Sequence, residues 1–301
     1  MCSPYKAGIV GNAGLWLGRS MIAGIEMGGT KTVVAVGEPD GTIHEEHRYP
    51  TTHGPETFNR AIQWLNERGT PDAIGVAAFG PVSVNRKRAD FGSMLATPKP
   101  GWAGFSITGA LGAAFPNARI GIETDVNAAA LAEADGFDDL VYITIGTGVG
   151  GGILSGGRLV HGALHPEFGH WFPRRAAGDA FAGVCPFHGD CLEGLASGPA
   201  LAERWGMDAK DLPPDHPAWE IESDYLAQAV MCLLATVNPS RVVIGGGVSQ
   251  AEGFHARVEC KVRERANGYF PALDENVPFV VPPKHGQQAG IRGALILATQ
   301  S

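Results

Sequence analysis

No stretch of this 301-residue chain approaches the about 18 uninterrupted apolar residues that a membrane span requires, which removes integral membrane functions from consideration. Basic residues are outnumbered, 23 Lys and Arg against 31 Asp and Glu, for a net charge of −8. A nucleic-acid surface needs the opposite balance to displace counterions from phosphate, so no nucleic-acid partner is expected. Cysteine is scarce. Five is an odd, low count that cannot build a disulfide scaffold, and Cys2, Cys232 and Cys260 are scattered as reduced thiols would be. A cytoplasmic compartment is therefore expected. A leader is not expected either: the mildly apolar run 7–18 is broken by Asn12 and is followed by no small-residue cleavage site. Residues 1–20 read instead as a disordered extension, with Met21 as an alternative start.

Against this background one stretch concentrates the remaining cysteines. His165-Pro166-Glu167-Phe168-Gly169-His170 leads to Cys185-Pro186-Phe187-His188-Gly189-Asp190-Cys191-Leu192-Glu193. His170, Cys185, His188 and Cys191 supply four soft donors, the last three at C-x2-H-x2-C spacing, which suits a closed, structural Zn2+ site. Glu167 and Glu193 lie within three residues of these donors but are not needed to complete the shell. The stretch reads as a metal clip that holds acidic side chains in place.

Glycine is the other excess, with 43 residues clustered in loops. An apolar strand, a glycine–threonine turn and a second apolar strand occur twice. The first copy is built around Gly28, Gly29, Thr30 and Lys31, the second around Gly146, Thr147 and Gly148, about 117 residues later. Glycine lets backbone N–H groups approach an anion closely, so both turns can hold phosphate. Neither is a Walker or dinucleotide loop, because β-branched strand sequence, not helix, follows the glycines. A third apolar strand (241–244) ends in Gly245-Gly246-Gly247. Ordinary tight hairpins are the plain alternative, weakened by the repetition. Strands alternating with helices over 55–68, 127–134, 199–205, 224–237, 252–265 and 289–298 predict an α/β protein with mixed sheets and two similar lobes. Asp125 follows the 119–123 strand and opens a helix, where a carboxylate is either an N-cap or a catalytic base.

Several ordered motifs together resemble the ROK family (repressors, open reading frames and sugar kinases), which has the two-lobed, actin-like ATPase (ribonuclease H-like) fold. The motifs are Gly24-Ile25-Glu26-Met27-Gly28-Gly29-Thr30-Lys31, Gly75 to Val82, Thr124-Asp125-Val126-Asn127-Ala128-Ala129, Gly146 to Gly152 and Val242 to Val248. The usual C-x-C-G-x-x-G-C zinc segment of the family's glucokinases is absent. The Cys185–Cys191 segment, His165–His170 and Thr97-Pro98-Lys99-Pro100-Gly101-Trp102 are instead similar to the bacterial fructokinase branch. The resemblance implies ATP-dependent phosphorylation of D-fructose at O6, with Mg2+ and Zn2+ as cofactors and a homodimer as the assembly. It implies Asp125 as general base and phosphate binding at Gly28, Gly29, Thr30, Lys31, Gly146, Thr147 and Gly148. Gly245 and Gly246 would pass the adenosine, and Asn127, Glu167 and Glu193 would meet the sugar. An N-terminal lobe over 21–121, with 285–301 packed back on it, and a C-terminal lobe over 122–284 are expected.

Three alternatives compete. A zinc deaminase would use His165-Pro166-Glu167 as its H-x-E, but P-C-x-x-C is missing, since Val184 precedes Cys185 and His188 replaces the second cysteine. A sugar-sensing repressor needs a helix-turn-helix region for which 20 residues are too few. A kinase for glucose or mannose remains open.

Overall fold

The structure, a computed structural model, describes residues 20–97, 99–273 and 276–300. All but one residue of the expected 1–20 extension lie outside these, as does Pro98. The expected α/β class is found. Ten strands form two five-stranded mixed sheets, and helices flank them.

The first sheet contains β1 (Ile22–Met27), β2 (Lys31–Gly37), β3 (Ile43–Pro50), β4 (Ala73–Ala78) and β5 (Arg119–Thr124), in the order β3-β2-β1-β4-β5. The second contains β6 (Leu140–Ile145), β7 (Val149–Ser155), β8 (Arg158–Leu159), β9 (Arg241–Gly245) and β10 (Val280–Val281), in the order β10-β9-β6-β7-β8. The two orders correspond strand for strand. In each, the first two strands form an antiparallel hairpin, the third pairs antiparallel to the second, and the fourth adds parallel to the first. The repeated glycine–threonine turn in the sequence is thus the local trace of a repeated topology.

The chain divides into two compact units. One runs up to Ile122 and resumes at Ala294; the other is Glu123–Gly293. The last helix, Ala289–Leu297, crosses from the second unit to the first at Ala294. Within the second unit a Cβ at Gly293 would lie 1.7 Å from the Ala128 carbonyl oxygen, so the helix packs closely there.

Each unit has its own core. In the first, Ile25, Val34, Val76, Phe58, Leu65, Trp102 and Leu111 are among the residues that close over the sheet. The second is built on Val141, Ile143, Leu195, Tyr225, Leu226, Val230 and Val242. Three of the helices matter for the site. The α1 helix is Gly54–Asn66, α2 is Ile107–Ala114 and α3 is Asp125–Glu133. The Thr124 hydroxyl caps α3 by accepting from Asn127 N–H at 3.2 Å. This corrects the reading of Asp125 as a possible N-cap: the helix starts two residues earlier than the alanine run suggests, and Asp125 sits in its first turn.

Candidate active site

The first hairpin turn joins β1 to β2 and is closed by Gly28 N–H donating to Lys31 O at 2.9 Å. Gly29 and Thr30 are exposed at its tip. A neighbour that sequence reasoning missed supports it. Thr51 donates its hydroxyl to Gly28 O and its N–H to Thr30 O, both at 2.9 Å, so the turn is held from the side by the residue that follows β3. A threonine just beyond a polar edge strand carries no pattern that would have marked it.

In the second unit the turn between β6 and β7 is closed by Gly146 N–H donating to Gly148 O at 2.9 Å, and Thr147 is exposed. No helix follows either turn. The third glycine segment comes beside this second turn, because β9 lies parallel to β6 and ends level with it. Gly246 has φ +90°, and a Cβ there would sit 2.2 Å from Ile145 O. Only glycine permits both that conformation and that approach. Gly245 ends β9 one residue earlier.

Asp125, Asn127, Glu167 and Glu193 all belong to the second unit. Asp125 is half-buried and accepts from Val126 N–H at 2.9 Å. Burial pushes its carboxyl up to about 6; the bond from Val126 opposes this and repulsion from Glu167 adds to it. A carboxylate of that acidity at the end of a sheet strand is suited to accept a proton near neutral pH. Asn127 is buried. Its amide donates to Glu123 Oε2 at 2.9 Å, while its own Oδ1 has no partner among the described residues. Glu123 also faces His161 Nε2 at 2.5 Å, a contact across 38 residues that no local pattern marks. Glu167 is exposed, lies 3.4 Å from His165 Nδ1, and heads the single 3-10 turn Phe168–His170.

His170, Cys185, His188 and Cys191 come together, with their donor atoms within 4.8 Å of one another. The separations are 3.3 Å between the two Nδ1 atoms, 3.5 Å from His170 to Cys191, 3.8 Å from His170 to Cys185 and 3.7 Å from His188 to Cys185. Around a tetrahedral Zn2+ with bonds of about 2.0–2.3 Å, neighbouring ligand atoms lie about 3.3–3.8 Å apart. The donor set and its spacing fit that ion. Backbone bonds between Cys185 and Gly189 in both directions, at 3.2 and 2.9 Å, make the knuckle that presents three of the four donors. Asp190 is not in the cluster; its carboxylate faces Arg175 at 3.8 Å. Nor is His165, which the deaminase alternative needs as a ligand. Four protein donors also leave no position for the water a deaminase activates, so that alternative falls.

The donor cluster is joined to the second hairpin. Cys191 precedes the short helix Leu192–Ala196, whose Glu193 accepts from Val149 N–H through Oε2 at 3.0 Å. On the other side, a Cβ at Gly169 would lie 1.8 Å from Val149 O, so the turn carrying His170 is pressed against the same residue. The first residue of β7 is thereby gripped from both sides of the cluster.

The family model for the ROK family matches residues 22–301. A fructokinase from Pediococcus pentosaceus is 39% identical over 285 residues, covering 92% of this chain and 97% of that protein. A fructokinase from Zymomonas mobilis is 40% identical over 288 residues, covering 91% and 95%. Among solved structures, a ROK hexokinase from Thermus thermophilus superposes with a TM-score of 0.76 at 27% identity, covering 93% of this chain and 98% of that one. The actin-like ATPase fold of the ROK kinases therefore accounts for the paired sheets, and the chain belongs to the ROK family.

Proposed function

We propose that this chain is an ATP-dependent fructokinase that transfers the γ-phosphoryl group to O6 of D-fructose. The observation that carries the reading is the raised carboxyl of Asp125, half-buried at the end of β5 and under the charge of Glu167, in a chain about 40% identical to two fructokinases.

Phosphoryl transfer asks a protein for positioning and charge neutralisation more than for covalent chemistry. Within its own unit each hairpin, Gly28–Lys31 and Gly146–Gly148, offers a loop for phosphate, and in the second unit Gly245 and Gly246 give an adenosine room beside it. Mg2+ bound with the nucleotide would offset phosphate charge. Asp125 takes the proton of the attacking sugar hydroxyl. A base so placed contributes roughly 10²–10⁴-fold. Asn127, Glu167 and Glu193 accept from other sugar hydroxyls; the unpartnered Oδ1 of Asn127 is a buried acceptor that a hydroxyl would satisfy. Zn2+, held by His170, Cys185, His188 and Cys191, is structural in this reading: it fixes the turn of Glu167 and the helix of Glu193. The homodimer belongs to the same reading, supported by the exposed rings of Phe172 and Phe187 beside the cluster. So does a cytoplasmic location, supported by the scattered reduced thiols.

A hexose panel with ATP and Mg2+, run on a sample of measured zinc content, tests the proposal. Fructose is expected to give the highest kcat/KM, with one zinc per chain. A tenfold preference for glucose or mannose would replace the substrate assignment, and turnover of none of them would end it.

A further inference from the structure

Lys99 belongs to the first unit and is half-buried. Its ammonium donates to Gly29 O, at the tip of the first hairpin, and lies 5.1 Å from the centre of the Phe79 ring. Among the described residues it has no carboxylate partner. Burial holds its pKa below the ordinary lysine value. Partly screened from water, the ammonium meets only a carbonyl oxygen and a ring face among the described residues, and an anionic ligand would give it a stronger partner.

The groups around it are tied to one another. Trp102, three residues on, is fully buried and donates Nε1–H to Thr52 O at 2.7 Å. The neighbouring Thr51 is the residue that braces the first hairpin through Gly28 O and Thr30 O. Two consecutive residues, Thr51 and Thr52, therefore set the hairpin and the Lys99 loop in one register. The ring under the ammonium is fixed as well: Phe79 meets Trp102 edge-on at 5.1 Å between centroids. The loop that carries Lys99 is thus tied to the residues that brace the hairpin its ammonium reaches.

We propose that Lys99 is a catalytic cation, whose ammonium leaves Gly29 O to bind the γ-phosphoryl group of a nucleoside triphosphate seated at Gly28–Thr30. The inference rests on the kinase reading above and adds a role for a residue that reading does not use. In the transfer, the sugar oxygen attacks γ-phosphorus and gives up its proton to a general base. The bond from phosphorus to the bridging oxygen breaks, with its electron pair leaving on the nucleoside diphosphate. Lys99 keeps all its protons and stabilises the charge on the equatorial oxygens.

The test compares wild type, Lys99→Met and Lys99→Arg in the full chain, by steady-state kinetics and by calorimetric binding of ADP and of AMP-PNP, which carries a γ-phosphoryl group. Lys99→Met is expected to lower kcat by about 10²–10³-fold, the size of effect seen on removing one preorganised charge-stabilising donor. It should weaken AMP-PNP at least tenfold while leaving ADP within twofold, and Lys99→Arg should recover part of both losses. Turnover of Lys99→Met within threefold of wild type, or an equal loss of ADP and AMP-PNP, would overturn the proposal. The binding arm needs no sugar. A wrong hexose assignment would show as wild type idle on fructose with the ADP against AMP-PNP difference intact, whereas a wrong role for Lys99 removes that difference.

Discussion

The carboxylate of Glu193, two residues beyond the metal-donor Cys191, accepts the N–H of Val149, the first residue after the second hairpin turn, at 3.0 Å. One side chain thus joins the donor cluster to a proposed phosphate loop. Val149 is buried, so its amide has no water to turn to. Glu193→Ala is expected to cost about 1–3 kcal/mol, the penalty for a buried donor left unpaired, and to weaken ADP binding with it. Glu193→Gln, which keeps an acceptor oxygen, should recover most of the stability. Urea unfolding of both variants checks this, and equal losses in Ala and Gln would show that the contact is not what matters.

Removing the metal should act on both ends of the same connection. The four donors are presented by a one-turn 3-10 element and a knuckle, neither of which has the length to hold its shape alone. Treatment with a strong chelator is expected to lower Tm by several degrees and to abolish turnover in parallel, and Cys185→Ser should do the same without chelator. Full activity at zinc contents well below one per chain would refute a structural role for the ion.

Asp125 carries a prediction in which stability and activity move in opposite directions. Its folded pKa of about 6 exceeds the ordinary aspartate value of 3.8, so the folded chain binds the proton more tightly than the unfolded chain. Folding is therefore disfavoured as pH rises from about 4 through 6, and at pH 7.5 the ionised carboxylate is a net cost. Asp125→Asn keeps an acceptor for Val126 N–H and removes that charge. It should stabilise the fold at pH 7.5 by on the order of 1–3 kcal/mol, by roughly half as much at pH 5, and hardly at all below about pH 4. Turnover should fall by at least 10²-fold. In the wild type, kcat/KM should drop tenfold per pH unit below about pH 6. Near-normal turnover by Asp125→Asn would remove it as the base.

Much of this arrangement could be read from the chain alone, for reasons that differ by element. The hairpins are visible because apolar strands of six and seven residues flank glycine–threonine turns that only a sharp bend accommodates. The metal donors were visible because cysteine is scarce enough here for a local pair to stand out. The edge strand Ile43–Pro50 was not legible, since its Glu45, Glu46, His47 and Arg48 carry the polarity that protects an exposed edge and hides a strand from periodicity. The α2 helix escaped notice because two glycines lower its propensity, and only the Ser106 cap marks it. Lys99, Thr51 and the Glu123–His161 pair depend on contacts between residues 20 to 70 positions apart, which no single-sequence pattern encodes.

The Glu123–His161 pair permits a test by pH alone. Glu123 is buried at the end of β5, beside the turn that carries Asp125, and His161 stands on the segment that leads to Glu167. The bond to Glu123 raises the His161 pKa above 6.5, against partial burial that lowers it. A raised basic pKa contributes stability that is complete below the unfolded value and is lost as pH climbs through the folded one. His161→Gln should therefore be destabilising by about 1 kcal/mol at pH 6, a low figure for a charge-assisted bond because the ring is partly open to solvent. At pH 9 the difference between variant and wild type should have largely disappeared. Denaturant midpoints at the two pH values decide the matter: a gap that stays constant, or widens with pH, would mean that the imidazole stands neutral beside Glu123.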